Sequence, residues 1–251
     1  MSKSLAFVGL VLASWTSPAF SQTCTGDCGT SGPSGVVTAP PGGTSYQYVS
    51  TANGVSGAGQ IAGVGGTSGS VYVTAAFGAA AGDVLNFNFN FVTSDGGDYA
   101  DYAFAELLVG GTHAAWLFTA RTQPTGNTSP GFGLPDNDAT LTPASTPINA
   151  GTDWAALGSD SGDCYGDGCG NTGWINSLYT IGSAGSYQIR FGVTNWSDNS
   201  YDSGLAFAGL ELNDTPIGAV PEPATWVMML IGFGGAGMAL RSQRRKKLAL
   251  A

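Results

Sequence analysis

The chain has 251 residues, 40 of them glycine, with 43% hydrophobic and only 10% charged side chains, a composition that can build a core and is not a disordered one. Between residues 22 and 220, sixteen acidic residues face two arginines, Arg121 and Arg190, a net charge of −14. Nucleic acid and anionic lipid surfaces both demand basic patches, so this stretch excludes nucleic acid as a partner and disfavours adhesion to acidic lipid.

The amino terminus reads as a secretory signal peptide over residues 1–21. Lys3 precedes an apolar run from Leu5 to Ala13, and Ala19-Phe20-Ser21 fits small-x-small cleavage. Residues 22–45, rich in Gly, Ser, Thr and Pro, are expected to be a flexible arm. Four cysteines, Cys24, Cys28, Cys164 and Cys169, in an exported chain point to disulfides. Four cysteines allow three pairings. The local pairs Cys24–Cys28 and Cys164–Cys169 would each close a small Gly/Asp loop and are favoured. A cross pairing would tie the arm to the loop near residue 165, and a tetrahedral zinc site is a further alternative.

Residues 46–214 show period-two alternation broken by turn residues. From Val84 to Val92, Leu85, Phe87, Phe89 and Phe91 fall on one face and Asn86, Asn88 and Asn90 on the other, which predicts a half-buried strand. Further strands are expected at Tyr46–Ser50, Ser70–Phe77, Tyr102–Val109, Ala114–Thr119, Ile175–Thr180, Tyr187–Asn195 and Leu205–Leu212. The expected fold is all-β: an antiparallel two-sheet sandwich, jelly-roll-like, with Gln123–Gly173 as a surface excursion and residues 215–219 as a linker.

Two Asp-rich turns carry candidate chemistry. Asp95, Asp98 and Asp101 in the first are candidate calcium ligands, since calcium takes six to eight oxygens and closely spaced Asp with Gly supplies them. Asp160–Gly168 is a second such turn, and Asp198 with Asp202 could join either in space. Ordinary turn preference explains the same residues without a cofactor. The asparagine face of residues 86–90, with tryptophans elsewhere, could bind sugar through amide hydrogen bonds and ring stacking. Catalysis is not expected: His113 is the single histidine and no G-x-S-x-G elbow occurs. Glu106 shares a strand face with Phe104 and Leu108, as either a perturbed carboxyl or an edge-strand charge.

The carboxyl terminus is the most specific segment. Pro221-Glu222-Pro223 and Trp226 lead into an uncharged stretch, Ala224 to Leu240, of 17 residues, roughly 25 Å as a helix. Arg241, Arg244, Arg245, Lys246 and Lys247 close it as a basic tail over 241–247, which places that end in the cytoplasm and everything before it outside. The prolines keep the preceding segment extended, as a processing enzyme requires.

In this order of parts, residues 220–247 resemble the PEP-CTERM sorting signal, also known as the ice-binding protein C-terminal domain. The resemblance implies processing by exosortase near the Pro-Glu-Pro, an intermediate anchored in the inner membrane by the helix at about 224–240, and release to the cell surface or extracellular matrix. It also implies association with exopolysaccharide and biofilm. The extra Leu248-Ala249-Leu250-Ala251 departs from the pattern. The expected function is a non-catalytic surface or matrix protein without a cofactor. A calcium-dependent carbohydrate-binding module is the alternative, and a secreted glycan-active hydrolase the third.

Overall fold

Alternating side chains put two apolar sheet faces against each other. The computed structural model describes residues 21–217. The predicted signal peptide and the sorting segment, with its helix over 224–240 and basic tail, lie outside the described residues. The strands are β1 (Thr23–Thr25), β2 (Asp27–Ser31), β3 (Tyr46–Ser50), β4 (Val55–Ser56), β5 (Ser68–Val73), β6 (Phe77–Ala79), β7 (Val84–Thr93), β8 (Tyr102–Val109), β9 (Thr112–Arg121), β10 (Thr140–Thr142), β11 (Gly170–Asn171), β12 (Ile175–Thr180), β13 (Gly185–Thr194), β14 (Ser203–Leu212) and β15 (Thr215–Pro216). Among the described residues the helical content is one 3-10 segment, Ala155–Asp160, broken at Gly158.

The first sheet runs β1-β5-β13-β8-β9, with β4 on β5 and β6 on β13. The second runs β10-β12-β7-β14-β3-β2, with β11 on β7. Neighbours pair antiparallel throughout, for example Asn176 opposite Asn88 and Arg190 opposite Glu106. Of the strands of six residues or more taken in chain order, only β8 and β9 are consecutive in one sheet; every other step crosses the sandwich.

Phenylalanines weld the interior. Phe89 of the second sheet stacks on Phe118 of the first with centroids 3.6 Å apart, and Phe191 stacks on Phe207 at 3.9 Å. Phe87 meets Phe191 edge-on at 5.4 Å. Phe87, Phe89, Phe91, Phe118, Phe191 and Phe207 are completely buried. At about 1.5–3 kcal/mol per ring, their burial contributes on the order of 10 kcal/mol before chain ordering is set against it.

Two expectations need correction. The segment 22–45 is not a loose arm: β1 pairs with β5 in the first sheet and β2 with β3 in the second, so this segment supplies an edge to each. Cys24 in β1 is bonded to Cys28 in β2, which turns a Gly-rich stretch of low strand propensity into a staple between the sheets. Nor is Gln123–Gly173 only a surface excursion. Trp154 is fully buried and donates from Nε1 to Tyr46 Oη at 2.9 Å. With Val37, Tyr46, Val92, Leu157, Ala206 and Ala208 it forms a second apolar cluster over the outer face of the second sheet. Gly204 permits this, because a Cβ there would occupy the space of the Trp154 ring. The other predicted strands lie where alternation placed them, apart from the division of Ser70–Phe77 between β5 and β6.

Candidate functional site

The cluster around Trp154 covers only half of the second sheet's outer face. The other half is an open groove of about 570 Å³, lined by Asn86, Asn88, Asn176, Trp174, Glu211 and the wall Pro40-Pro41-Gly42-Gly43 among others. That volume lies in the range of small-ligand sites. Asn86 and Asn88 project from β7 because the phenylalanines alternate with them into the core. Asn176 on β12 stands directly across from Asn88, and Glu211 on β14 directly across from Asn86.

The amides form a connected set. Asn176 Nδ2 donates to Asn86 Oδ1 at 2.6 Å, to the Phe87 carbonyl at 3.2 Å and to Asn88 Oδ1 at 3.3 Å. Each carboxamide has two donors and an acceptor. Asn176 spends its donors on its neighbours, so the Nδ2 groups of Asn86 and Asn88 and the Oδ1 of Asn176 face the groove. The sheet backbone beneath is already paired, leaving recognition to side chains. Gly209, with φ of 65°, sits at a β-bulge between Ala208 and Glu211, and a Cβ there would press within 3.4 Å of Asn88 Nδ2. Trp174 is fixed from two sides: Nε1 donates to the Thr38 carbonyl at 3.1 Å, and the ring meets Tyr46 edge-on at 5.8 Å. A ring held in place offers stacking area at little entropic cost.

Asn90 keeps the expected face but is covered: it is completely buried beneath the returning insert, with Thr172 Oγ1 3.4 Å from its Oδ1. Asn176 and Glu211 were not singled out from sequence. Asn176 was detectable, since it alternates with Ile175 and Ser177 on an expected strand; Glu211 follows a bulge that breaks the alternation.

The acidic turns meet at one end of the sandwich without forming a ligand set. Asp101 is fully buried; its Oδ1 accepts from Trp196 N–H at 2.8 Å, and its Oδ2 lies 2.7 Å from Ser203 Oγ. Ser203 Oγ is 2.8 Å from Thr93 Oγ1, which is 3.1 Å from Thr122 Oγ1, and Thr122 donates back to the Asp101 carbonyl at 3.2 Å. A protonated Asp101 donating to Ser203 lets each hydroxyl donate once around this ring. Burial pushes the Asp101 carboxyl well above the usual carboxylate range, in agreement with that count, although the Ser203 and Trp196 hydrogen bonds act the other way.

Asp95, 1% exposed, accepts from Gly96 N–H at 2.7 Å through Oδ1, while its Oδ2 is buried without a protein partner. Burial carries its pKa up to about 6, with Asp198 and Asp160 adding to the rise. Asp202 also reaches about 6, chiefly through burial, although Thr51 Oγ1 donates to it at 2.8 Å; Asp160 accepts from the Asp202 N–H at 2.8 Å. Asp98 is exposed. Thus Asp95 and Asp101 turn inward, with Asp95 close enough to add to the rise at Asp101, and Asp98 turns outward. Among the described residues no three His, Cys, Asp or Glu side chains are grouped to hold a metal ion. Cys164 is bonded to Cys169 beside this end, where Tyr165 packs between Tyr99 at 5.4 Å and Tyr201 at 4.8 Å.

On the outer face of the first sheet, His113 Nδ1 lies 2.7 Å from Glu106 Oε1. Arg190 Nη2 is 2.5 Å from Glu106 Oε2, in ion-pair contact without hydrogen-bond alignment. The single histidine is thus the partner of a structural carboxylate, with its ring 4.7 Å from Trp116.

A family model described as the PEP-CTERM protein-sorting motif matches residues 219–246. Pro221, Glu222, Pro223, Trp226, Arg241, Arg244 and Arg245 all fall within the match. The chain carries the sorting signal of the exosortase substrate class and, with it, the mark of an exported protein. No curated protein matches the chain.

Proposed function

We propose that this is a non-catalytic exopolysaccharide-associated protein of the cell surface or extracellular matrix, and that the asparagine groove on the second sheet holds a glycan strand. Amino-terminal signal cleavage exports it, the carboxyl-terminal helix anchors it transiently in the inner membrane, and exosortase releases it near Pro221-Glu222-Pro223. We take the sandwich to be a jelly roll, a reading that the alternation of the long strands between the two sheets supports.

One observation carries the glycan assignment. Asn176 ties Asn86 and Asn88 into a fixed row whose remaining donors and acceptor face a groove beside the immobilised Trp174 ring. A row of amides beside an aromatic plane suits the hydroxyl edge and apolar face of a sugar. Catalysis by His113 has no part in the proposal, and calcium at Asp95, Asp98 and Asp101 has none either.

The test compares cells with and without exosortase. The mature protein is expected with the matrix polysaccharide, trimmed near residue 221, when the enzyme is present, and untrimmed in the membrane fraction when it is absent. Recovery of an untrimmed chain from the cytosol in both strains would refute the proposal.

A further inference from the structure

We propose that the groove selects sugar polymers carrying free amino groups and that Glu211 is the residue that selects them. This rests on the glycan assignment above and names the class of glycan. Glu211 is the single charged side chain among the groove-lining residues, placed by the strand register directly across from Asn86. The bulge at Gly209 puts it there: without the register shift after Ala208, the alternation of β14 would bring a different side chain to that position.

Among the described residues the carboxylate has no cation of its own: Arg190 is in ion-pair contact with Glu106, which also meets His113. Arg121 donates to the carbonyls of Ala100 and Phe132 and lies over the Trp196 ring at 4.8 Å. Both arginines of the domain are therefore spent away from the groove, in a domain whose net charge is −14 over residues 22–220. A uronate, sulfate or phosphate substituent would meet Glu211 with no compensating charge. A neutral sugar would use the amides and ring and leave the carboxylate idle.

An ammonium group uses what is there. It has three donors, which Glu211 can accept, while Asn86 and Asn88 Nδ2 donate to hydroxyl or acetamido oxygens on neighbouring units. A partly de-N-acetylated amino-sugar polymer carries both kinds of group. A lysine-rich peptide shares the ammonium but would seek backbone pairing, which a closed sheet face does not offer.

The experiment titrates the mature protein with a glucosamine hexamer, its fully N-acetylated counterpart, a neutral glucose hexamer and an oligolysine of equal charge. At 0.15 M salt, diffuse attraction is screened beyond about 8 Å. The glucosamine hexamer is expected to bind about three- to tenfold more tightly than the acetylated one. Glu211→Gln should erase that preference, bringing the two amino-sugar hexamers to equal affinity. Equal binding of the two amino-sugar hexamers, a preference that survives Glu211→Gln, or oligolysine binding as tightly as the glucosamine hexamer each overturns the selection by Glu211. Absence of binding by every sugar overturns the glycan assignment itself, and the selection with it.

Discussion

Trp154 Nε1 donates to Tyr46 Oη at 2.9 Å, joining the middle of a 51-residue insert to β3 of the second sheet. This contact decides which half of the outer face is closed and which remains a groove. Trp154 lies over Gly204 and the small side chains Ala206 and Ala208 of β14, so a large ring fits where bulkier residues would exclude it.

Trp154→Ala should destabilise the fold by about 3–5 kcal/mol, as loss of a fully buried ring does. Tyr46→Phe, which removes only the acceptor, should cost about 1 kcal/mol. Urea unfolding measures both. A loss below about 1 kcal/mol for Trp154→Ala would mean that the insert is not part of the folded unit.

Acid should stabilise the domain. Asp95 and Asp202 titrate near 6 in the fold against an ordinary value of 3.8, so the native state binds protons more tightly than the unfolded chain between those values. Stability therefore rises as pH falls from 7 toward about 4.5 and declines as pH climbs through 6. Protonation also relieves self-repulsion among the sixteen acidic residues. Thermal melts across this range check the slope, and a melting temperature that falls on acidification would contradict it.

Asp101 offers a sharper form of that test. An asparagine at 101 can donate to Ser203 and accept from Trp196 N–H as the protonated acid does. Asp101→Asn should keep stability at pH 7 within about 1 kcal/mol of the parent or above it, with a flatter pH dependence. Asp101→Ala should cost about 1–3 kcal/mol through unpaired buried groups. Equal losses in the two variants would show that the ring needs a charged carboxylate.

Each disulfide closes a small loop, with cysteines separated by 4 and 5 residues. Chain-entropy arithmetic gives such loops about 2 kcal/mol apiece. Cys24→Ser with Cys28→Ser should cost about that much and raise hydrogen exchange in β1 and β2 first, because that bond links an edge of one sheet to an edge of the other. Unchanged exchange there would mean that the edges hold without it.

Much of the sandwich was legible because its interior is simple. The Leu85, Phe87, Phe89, Phe91 series and its asparagine complement fixed one strand, its buried face and two of the three groove amides. What pairs across the sheet was not legible: Asn176 meets Asn88 from 88 positions away, and local patterning contains no register information. The arm misled because Gly, Ser and Thr look loose in isolation, whereas Val37 buries itself under Trp154 only after a distant insert has folded back. Aspartates in turns misled similarly. Asp95 and Asp101 have the composition of a cation loop, and only the packed ends of β7, β8 and β14 show that their carboxyls point inward.

The glycan groove is tested most directly by titrating the mature protein with its own matrix polysaccharide while following tryptophan emission, in the parent and in Asn88→Ala. The parent should show saturable binding, and loss of the amide should weaken it about five- to tenfold without lowering the unfolding midpoint by more than about 1 kcal/mol equivalent. Absence of saturation in the parent, or equal affinity in the variant, would contradict the account.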